Sequence, residues 1–266
     1  MNAAQVDFNS DLGESFGLWE RGADEAMLRS VSSANVACGF HAGDPSVMRR
    51  TLESAKRSGV AVGAHPGYPD LLGFGRRAMA VSPSDVRDYV LFQVAGLDGF
   101  VRAAGLELHH VKPHGALYMA ALEDRPVADA IAEAVMEFRE GLPVYTIAGS
   151  EMWDAATRAG LPAFAEFFAD RPLRKDGSVV MFGWKEVFDP EPDVVAERAV
   201  AVATSGSVTS LEGPAVNIKA DTICVHSDTP GAELLGPAVR KALESANVRV
   251  AAPGRGASTH PNRKGN

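Results

Sequence analysis

The chain has 266 residues, 46% of them hydrophobic, and its formal net charge of −8 argues against nucleic-acid binding, which needs clustered Lys and Arg. Its two cysteines, Cys38 and Cys224, exclude a disulfide framework and fit a reducing compartment. No apolar run approaches the roughly 18 residues of a membrane helix, and residues 1–5 lack the regions of a signal peptide, so we expect a cytoplasmic protein.

Strand and helix patterns alternate along the chain. Strands are predicted over residues 6–9, 34–37, 60–64, 108–112, 143–148, 163–168 and 222–226. Helices are predicted over residues 24–32, 45–58, 83–104, 127–138, 151–159, 193–203 and 231–246. Such alternation indicates βαβ units and a parallel sheet. With seven or eight units a closed or nearly closed barrel is favoured, and an open doubly wound sheet is the alternative.

Two stretches lack this regularity. Residues 171–192 contain several Gly and Pro residues, and they are predicted to form a long loop or a short hairpin. Residues 253–266 are Gly-, Pro- and Lys/Arg-containing, and they are predicted to form a flexible tail. Residues 1–252 are therefore expected to form one barrel domain.

Three segments place ionisable side chains where a predicted strand ends at Gly or Pro. They are residues 35–44, 63–70 and 109–118. Because the carboxyl ends of parallel strands open on one face, we expect His41, His65, Lys112 and His114 to share one cleft.

The first strand carries polar residues at alternate positions. Asp7, Asn9 and Asp11 therefore face the same side, which is costly in a buried strand unless they are paired or bind a ligand. One interpretation is a carboxylate for metal binding or proton transfer. The other is a capped turn that leaves Asp11 and Glu14 in solvent.

Asp11, His41 and His65 form a possible metal-binding set. A carboxylate and two imidazoles suit a divalent metal that keeps open positions for water. The spacing does not require a metal, because each residue comes from a separate strand. Direct acid–base or substrate-binding roles are the alternative.

Lys112 and His114 flank Pro113 in a stiff turn. A lysine at a strand end suits a phosphate or a developing oxyanion, whereas a surface salt bridge is the structural alternative. His114 suits proton transfer near neutral pH. Alternation predicts that His110, rather than His109, faces inward with Lys112.

Further polar groups follow other predicted turns and strands. Arg76 lies in a Gly-flanked basic turn and suits capture of a carboxylate or phosphate. Arg171 suits the same role, or pairs with Asp170. His226 and Asp228 face one side and suit an acid–base pair, or cap the helix that follows. The chain contains no P-loop, dinucleotide or nucleophile-elbow motif.

Six segments together resemble the LamB/YcsF family, and the match runs from about residue 6 to residue 246. They are residues 7–17, 33–44, 63–70, 73–76, 110–118 and 168–171. The resemblance implies a distorted (β/α) barrel of about seven parallel strands, related to the glycoside hydrolase/deacetylase group. It also implies hydrolysis of 5-oxo-L-proline to L-glutamate with ATP and Mg²⁺, in a 5-oxoprolinase that includes companion subunits B and C.

The resemblance also directs attention to particular residues. The expected catalytic residues are Asp11, His41, His65, Lys112 and His114. The expected substrate- or phosphate-binding residues are Asn9, Glu14, Asn35, Arg76, Asp170, Arg171, His226 and Asp228.

One stretch departs from the family pattern. After residues 176–178 the family usually continues with an apolar pair and then Pro-Arg, but here Met181 and Phe182 follow the apolar pair. If the family's Arg contacts the substrate or a partner, this protein differs from the family in specificity or in assembly. Two other functions stay in view: a metal-dependent deacetylase or amidohydrolase that acts on a carbohydrate or related N-acyl substrate without ATP, and a non-catalytic binding subunit.

Overall fold

The computed structural model describes residues 4–254. Most of the tail that we predict to be flexible, residues 255–266, lies outside this range. The strands are β1 (Gln5–Leu12), β2 (Ser33–Ala37), β3 (Ala61–His65), β4 (Leu108–Val111), β5 (Val144–Thr146), β6 (Ala163–Phe168), β7 (Ser207–Thr209), β8 (Ala215–Asn217), β9 (Thr222–Cys224) and β10 (Arg249–Val250). The helices are α1 (Asp24–Leu28), α2 (Pro45–Ser58), α3 (Pro83–Ala103), α4 (Gly115–Glu123), α5 (Arg125–Phe138), α6 (Glu151–Ala159), α7 (Pro192–Ser205) and α8 (Ala232–Ser245).

Seven strands form a closed parallel barrel in the order β1-β2-β3-β4-β5-β6-β9, and β9 pairs back with β1. This confirms the predicted (β/α) barrel and excludes the open sheet. The short strand β10 pairs with the start of β1. Strands β7 and β8 form a separate antiparallel hairpin that the sequence patterns do not predict.

The helix boundaries follow local capping chemistry. The Asp44 carboxylate accepts hydrogen bonds from the backbone N–H groups of Ser46 and Val47, and Gly59 ends α2 with a φ of 69°. The Ser82 hydroxyl caps α3 in the same way. Among the described residues, the helices include none that is long and apolar enough to cross a membrane.

The structure differs from the predicted elements most clearly in two helices. Helix α4 is not predicted, because it is apolar on nearly all sides and shows no amphipathic period. Helix α1 ends at Leu28 rather than at residue 32. Residues 171–192 contain the isolated bridge Leu173–Val179 and a 3₁₀ turn, Trp184–Glu186, so the predicted loop or short hairpin is confirmed.

The barrel has an apolar outer face and a polar interior. Phe8 and Leu12 of β1 pack in the hydrophobic core beneath the helices. Asn9, on the opposite face of β1, reaches across to Glu166 of β6 at 3.1 Å. Because β1 and β6 are not neighbours, this hydrogen bond crosses the barrel interior. Polar groups buried there must hydrogen-bond to one another. These hydrogen bonds hold the residues of the candidate active site in place.

Gly63 leaves room for the imidazole ring of His110 inside the barrel. A Cβ atom at residue 63 would overlap the imidazole ring of His110, which is fully buried. We expect Gly63→Ala to lower the free energy of unfolding by about 1–3 kcal/mol, as overpacking does. Urea denaturation measures this, with Gly96→Ala as the control.

Gly96 lies on the exposed side of α3 with open space around it. Its replacement by Ala is expected to raise stability by about 0.5–1 kcal/mol. If the two variants had equal stability, the close contact between Gly63 and His110 would have no energetic consequence.

Candidate active site

The predicted strand-end residues converge at one mouth of the barrel. Asp11 ends β1, His65 ends β3, and Lys112 and His114 follow β4. All four are buried, and they line a common cavity. The remaining lining residues are Arg76, Pro113, Gly115, Tyr118, Phe168, Arg171, Met181, Phe182 and His226. The expectation of a single shared cleft is thus confirmed for His65, Lys112 and His114, whereas His41 does not line this cavity.

Lys112 lies between two carboxylates at the bottom of this cavity. Its Nζ is 2.9 Å from Asp11 Oδ1 and 2.8 Å from Glu166 Oε1, and it also lies 3.2 Å from Cys224 Sγ. The side chain is 1% exposed, so the surface-salt-bridge alternative is wrong. A buried ammonium needs such partners, because an isolated charge in the interior is very costly.

The neighbouring charges determine the protonation states of Lys112 and Asp11. Burial by itself lowers the pKa of Lys112, but Asp11, Cys224 and Glu166 outweigh it and raise that pKa well above its ordinary value. Burial raises the pKa of Asp11, but His65 and Lys112 outweigh it and hold that pKa well below its ordinary value. Asp11 is therefore an ionised carboxylate, held in place at the floor of the cavity.

Glu14 lies among three imidazoles just above this floor. Its Oε1 atom is 3.4 Å from His41 Nε2, 3.8 Å from His65 Nε2 and 3.3 Å from His114 Nδ1. All four side chains are buried. Glu14 is thus not in solvent, and the capped-turn interpretation of Asp11 and Glu14 is wrong.

Hydrogen bonds that two histidines donate to backbone carbonyls set the tautomers of this cluster. His65 Nδ1 donates to the Lys112 carbonyl at 2.7 Å, and His114 Nε2 donates to the Phe74 carbonyl at 2.8 Å. Burial lowers the pKa of His114, which favours the neutral ring. The other two ring nitrogens, His65 Nε2 and His114 Nδ1, lie 2.9 Å apart, and in neutral rings with these tautomers both present lone pairs.

His41 completes the cluster with unused ring nitrogens. Burial and the neighbouring His114 lower the pKa of His41 to about 3. Neither of its ring nitrogens, nor Glu14 Oε1, makes a hydrogen bond among the described residues. Buried polar atoms without partners are rare and indicate a missing ligand. A cation binds lone pairs that face one another and acceptor atoms that have no hydrogen-bond donor.

The cluster fits a divalent metal ion. The ligand atoms of Glu14, His41, His65 and His114 all lie within 4.8 Å of one another. Ligands about 2.1 Å from a tetrahedral metal lie about 3.4 Å apart, close to the separations around Glu14 Oε1. The set differs from the one predicted from sequence, because Glu14 and His114 join it. Asp11 lies beside it, with Oδ2 3.3 Å from His65 Nε2.

His226 pairs with Asp170 across the cavity. Its Nδ1 atom is 3.1 Å from both carboxylate oxygens of Asp170, and its Nε2 atom lies 3.7 Å from Asp11 Oδ2. Arg171 Nη1 also donates to Asp170 at 2.8 Å, as one of the predicted alternatives required. Burial raises the pKa of Asp170, but Arg171 and His226 outweigh it and keep the carboxyl ionised.

Asp228 does not pair with His226. Its Oδ2 atom accepts from Arg21 Nη2 and Arg76 Nη2, each at 2.8 Å. Two guanidinium groups thus share one carboxylate at the rim, which leaves a net positive charge. The predicted Arg76 lies at the cavity, whereas Arg21 has no motif to mark it.

Asn9 and Asn35 lie below the cavity, in the barrel interior. Asn35 Nδ2 donates to Asn9 Oδ1 at 2.7 Å and to Asp11 Oδ1 at 2.8 Å. His110 Nε2 donates to Asn35 Oδ1 at 2.6 Å, which confirms that His110 faces inward. Asn35 therefore holds Asp11, and neither asparagine lines the cavity.

The sequence prediction omits several residues of the site. Among them, Glu166 pairs with Lys112, and Tyr118 and Phe182 line the cavity. A charged residue inside the apolar strand 163–168 was the signal for Glu166. Phe182 belongs to the stretch that departs from the family pattern, so that departure forms part of the cavity lining.

Asp24 links α1 to the end of β1 and makes stability depend on pH. Its Oδ2 atom accepts from the Gly13 N–H at 2.8 Å, while its Oδ1 atom is buried without a hydrogen-bond partner in the described chain. Burial raises its pKa from 3.8 to about 7. The folded state therefore favours the protonated form, and stability falls as pH rises from about 4 to about 7.

We expect Asp24→Asn to relieve this loss. At pH 8 the variant should be more stable than the parent chain by as much as about 4 kcal/mol, and the difference should nearly vanish below pH 4. Urea denaturation of EDTA-treated protein at pH 4 and pH 8 measures it. A gain of the same size at both pH values would contradict the raised pKa.

The fold and the site together define a (β/α) barrel protein with a buried carboxylate–histidine centre at its mouth. The chain matches the model of the LamB/YcsF family over residues 6–258, and it belongs to that family. It is 46% identical to the 5-oxoprolinase A subunit of Pyrococcus horikoshii, over 92% of this chain and 96% of that protein. It is 48% identical to the 5-oxoprolinase A subunit of Syntrophobacter fumaroxidans, over 94% of this chain and 99% of that protein.

A solved structure agrees with this membership. The crystal structure of the lactam utilization protein from Thermus thermophilus superposes with a TM-score of 0.89 at 46% identity. The alignment covers 93% of this chain and 99% of that chain. The barrel and its loops are therefore those of this family over nearly their full length.

Proposed function

We propose that the protein is the A subunit of a 5-oxoprolinase, which opens 5-oxo-L-proline to L-glutamate at the expense of ATP. The observation that carries the proposal is the identity of 46–48% to proteins of that name over nearly the whole chain. The cavity adds support, because the ionised carboxylate of Asp11 lies beside His65 and His226 in it. The two free cysteines are consistent with a cytoplasmic site of action.

The lactam amide resists attack because resonance makes its carbonyl carbon a poor electrophile. Transfer of the γ-phosphoryl group to the amide oxygen forms an O–P bond, releases ADP and removes that resistance. Water then adds to the carbon, and the C–N bond breaks as the nitrogen takes a proton. The acyl phosphate that remains hydrolyses to L-glutamate and phosphate.

Asp11 and His226 suit the two proton transfers. Asp11 is ionised and lies at the cavity floor, where it accepts the proton of the attacking water. Asp170 accepts from His226 Nδ1 and so orients the ring, which leaves His226 Nε2 to serve the leaving nitrogen. Lys112 and Asn35 position Asp11, since both donate to its Oδ1 atom.

Glu14, His41, His65 and His114 would hold a divalent transition metal. When bound, such an ion polarises a carbonyl oxygen or lowers the pKa of a water molecule. Three imidazoles favour zinc, iron or nickel over Mg²⁺, which prefers oxygen ligands. Mg²⁺ is therefore assigned to ATP, and the histidine cluster to a different ion.

Basic residues at the cavity suit the anionic groups of the reaction. Arg76 lies at the rim, where the pairing of Arg21 and Arg76 with one carboxylate leaves positive charge for a phosphate. The sequence contains no P-loop. We therefore propose that companion subunits B and C contribute to ATP binding and are needed for turnover.

The decisive experiment measures glutamate formation from 5-oxo-L-proline. The chain is assayed alone and with subunits B and C, each with and without ATP. ATP-dependent glutamate formation only in the full mixture supports the proposal. Chelator-sensitive hydrolysis of an N-acetylated sugar by the chain alone, without ATP, would instead support the deacetylase alternative, and no turnover with any substrate would contradict both enzymatic functions.

A further inference from the structure

Among the described residues, the guanidinium group of Arg171 has hydrogen-bond partners at Nη1 and none at Nε. Its Nη1 atom donates to Asp170 Oδ2 at 2.8 Å, to Thr229 Oγ1 at 2.9 Å and to the Asp170 carbonyl at 3.0 Å. Its Nε atom is buried and has no hydrogen-bond partner in the described part of the chain. The residue is 2% exposed and lines the cavity.

A buried guanidinium N–H without an acceptor is costly. The Nε edge of a guanidinium presents two parallel N–H groups, and this fork matches a carboxylate. Arg171 lines the cavity wall, and it shares the Asp170 carboxylate with His226. The unused edge therefore indicates an acceptor that the substrate brings.

Trp184 lies against the face of the same guanidinium. The Cζ atom of Arg171 is 4.3 Å from the centroid of the indole ring. Trp184 is buried, although its neighbours Gly183 and Lys185 in the segment 171–192 are exposed. A cation–π contact that is shielded from water is stronger than an exposed one, and it fixes the plane of the guanidinium group.

We propose that Arg171 binds the carboxylate of the substrate through its Nε edge, and that Trp184 is a positioning residue that holds this edge toward the cavity. The pair thereby selects cyclic amides that carry a carboxylate over those that do not. This inference rests on the proposed function and names the group of the substrate that Arg171 recognises. It also assigns the two anionic groups of the reaction to different residues, because Arg171 binds the carboxylate and Arg76 binds the phosphate.

The test compares Trp184→Ala, Trp184→Phe and Trp153→Ala in the reconstituted enzyme with subunits B and C. Trp153→Ala is the matched control, because Trp153 also carries a cation–π contact, with Lys219 at 4.7 Å, but lies outside the cavity. We expect Trp184→Ala to raise KM for 5-oxo-L-proline about tenfold with little change in kcat. Trp184→Phe should restore most of the loss, and the control should match the parent enzyme.

A second ligand distinguishes a loss of carboxylate recognition from general damage to the active site. 2-Pyrrolidinone has the same lactam ring without the carboxylate, and its inhibition constant should be equal in the parent enzyme and in Trp184→Ala. Arg171→Lys, which keeps the charge but loses the fork, should raise KM for 5-oxo-L-proline at least as much as Trp184→Ala does.

Several results would overturn the inference. One is an unchanged KM in Trp184→Ala and Arg171→Lys, and another is an equal loss of affinity for both lactams. If the parent enzyme formed no glutamate, the proposed function would fail separately. Calorimetry with the chain alone would then decide, and equal binding of 5-oxo-L-proline and 2-pyrrolidinone, or no binding of either, would count against a carboxylate site at Arg171.

Discussion

Replacing Lys112 with Met is expected to lower the free energy of unfolding by about 3–5 kcal/mol and to abolish turnover. The variant leaves Asp11 and Glu166 as buried carboxylates without their common counter-ion. The position of Lys112 at a strand end suggests a purely catalytic role, but its two buried ion pairs add a structural one. Urea denaturation and glutamate formation measure the two effects.

A second substitution separates the electrostatic cause from lost packing. In Lys112→Met with Glu166→Gln, one uncompensated charge is gone, so part of the lost stability should return while turnover stays absent. Lys219→Met is the control, because Lys219 is exposed and its removal should change stability by less than about 0.5 kcal/mol. A Lys112→Met protein as stable as the parent chain would show that the pairing of Asp11 and Glu166 does not require the ammonium group.

Replacing His41 with Phe is expected to remove metal binding while keeping the ring stack on His114. The two rings lie 3.7 Å apart and are nearly parallel, and Phe preserves this contact. No hydrogen bond among the described residues is lost, because the His41 ring nitrogens make none. Loss of residues that merely orient ligands typically costs 10–100-fold in affinity, so loss of a ligand should cost at least about 100-fold.

Metal content by mass spectrometry, after dialysis against zinc, measures this effect. The parent chain should retain about one ion, and His41→Phe should retain almost none, with glutamate formation reduced at least about 100-fold. His109→Phe is the control, because the His109 ring lies outside the cluster and is 2.8 Å from the Pro253 carbonyl. Equal zinc content in the parent chain and His41→Phe would exclude His41 as a ligand.

Much of the site follows from sequence because its causes are local. Alternation along β1 places Asp7, Asn9 and Asp11 on one face, and the caps at Asp44 and Ser82 fix where α2 and α3 begin. The rule that parallel strands open at one end then brings His65 and Lys112 together. None of these inferences needs a distance between remote parts of the chain.

Other features depend on distances that no local pattern contains. Glu14 faces three histidines, and His226 pairs with Asp170 rather than Asp228. These pairings arise from how the seven strands stagger and close, which brings β1 beside β9.

The sequence by itself therefore determined the alternation of strands and helices, the capped starts of α2 and α3, and the end at which the ionisable groups gather. Only the tertiary structure decided which group pairs with which, and that Glu14 and His114 join the histidine cluster. The physical reason is that periodicity and capping act over a few neighbouring residues, whereas a buried charge takes the partner that barrel closure places within a few ångströms.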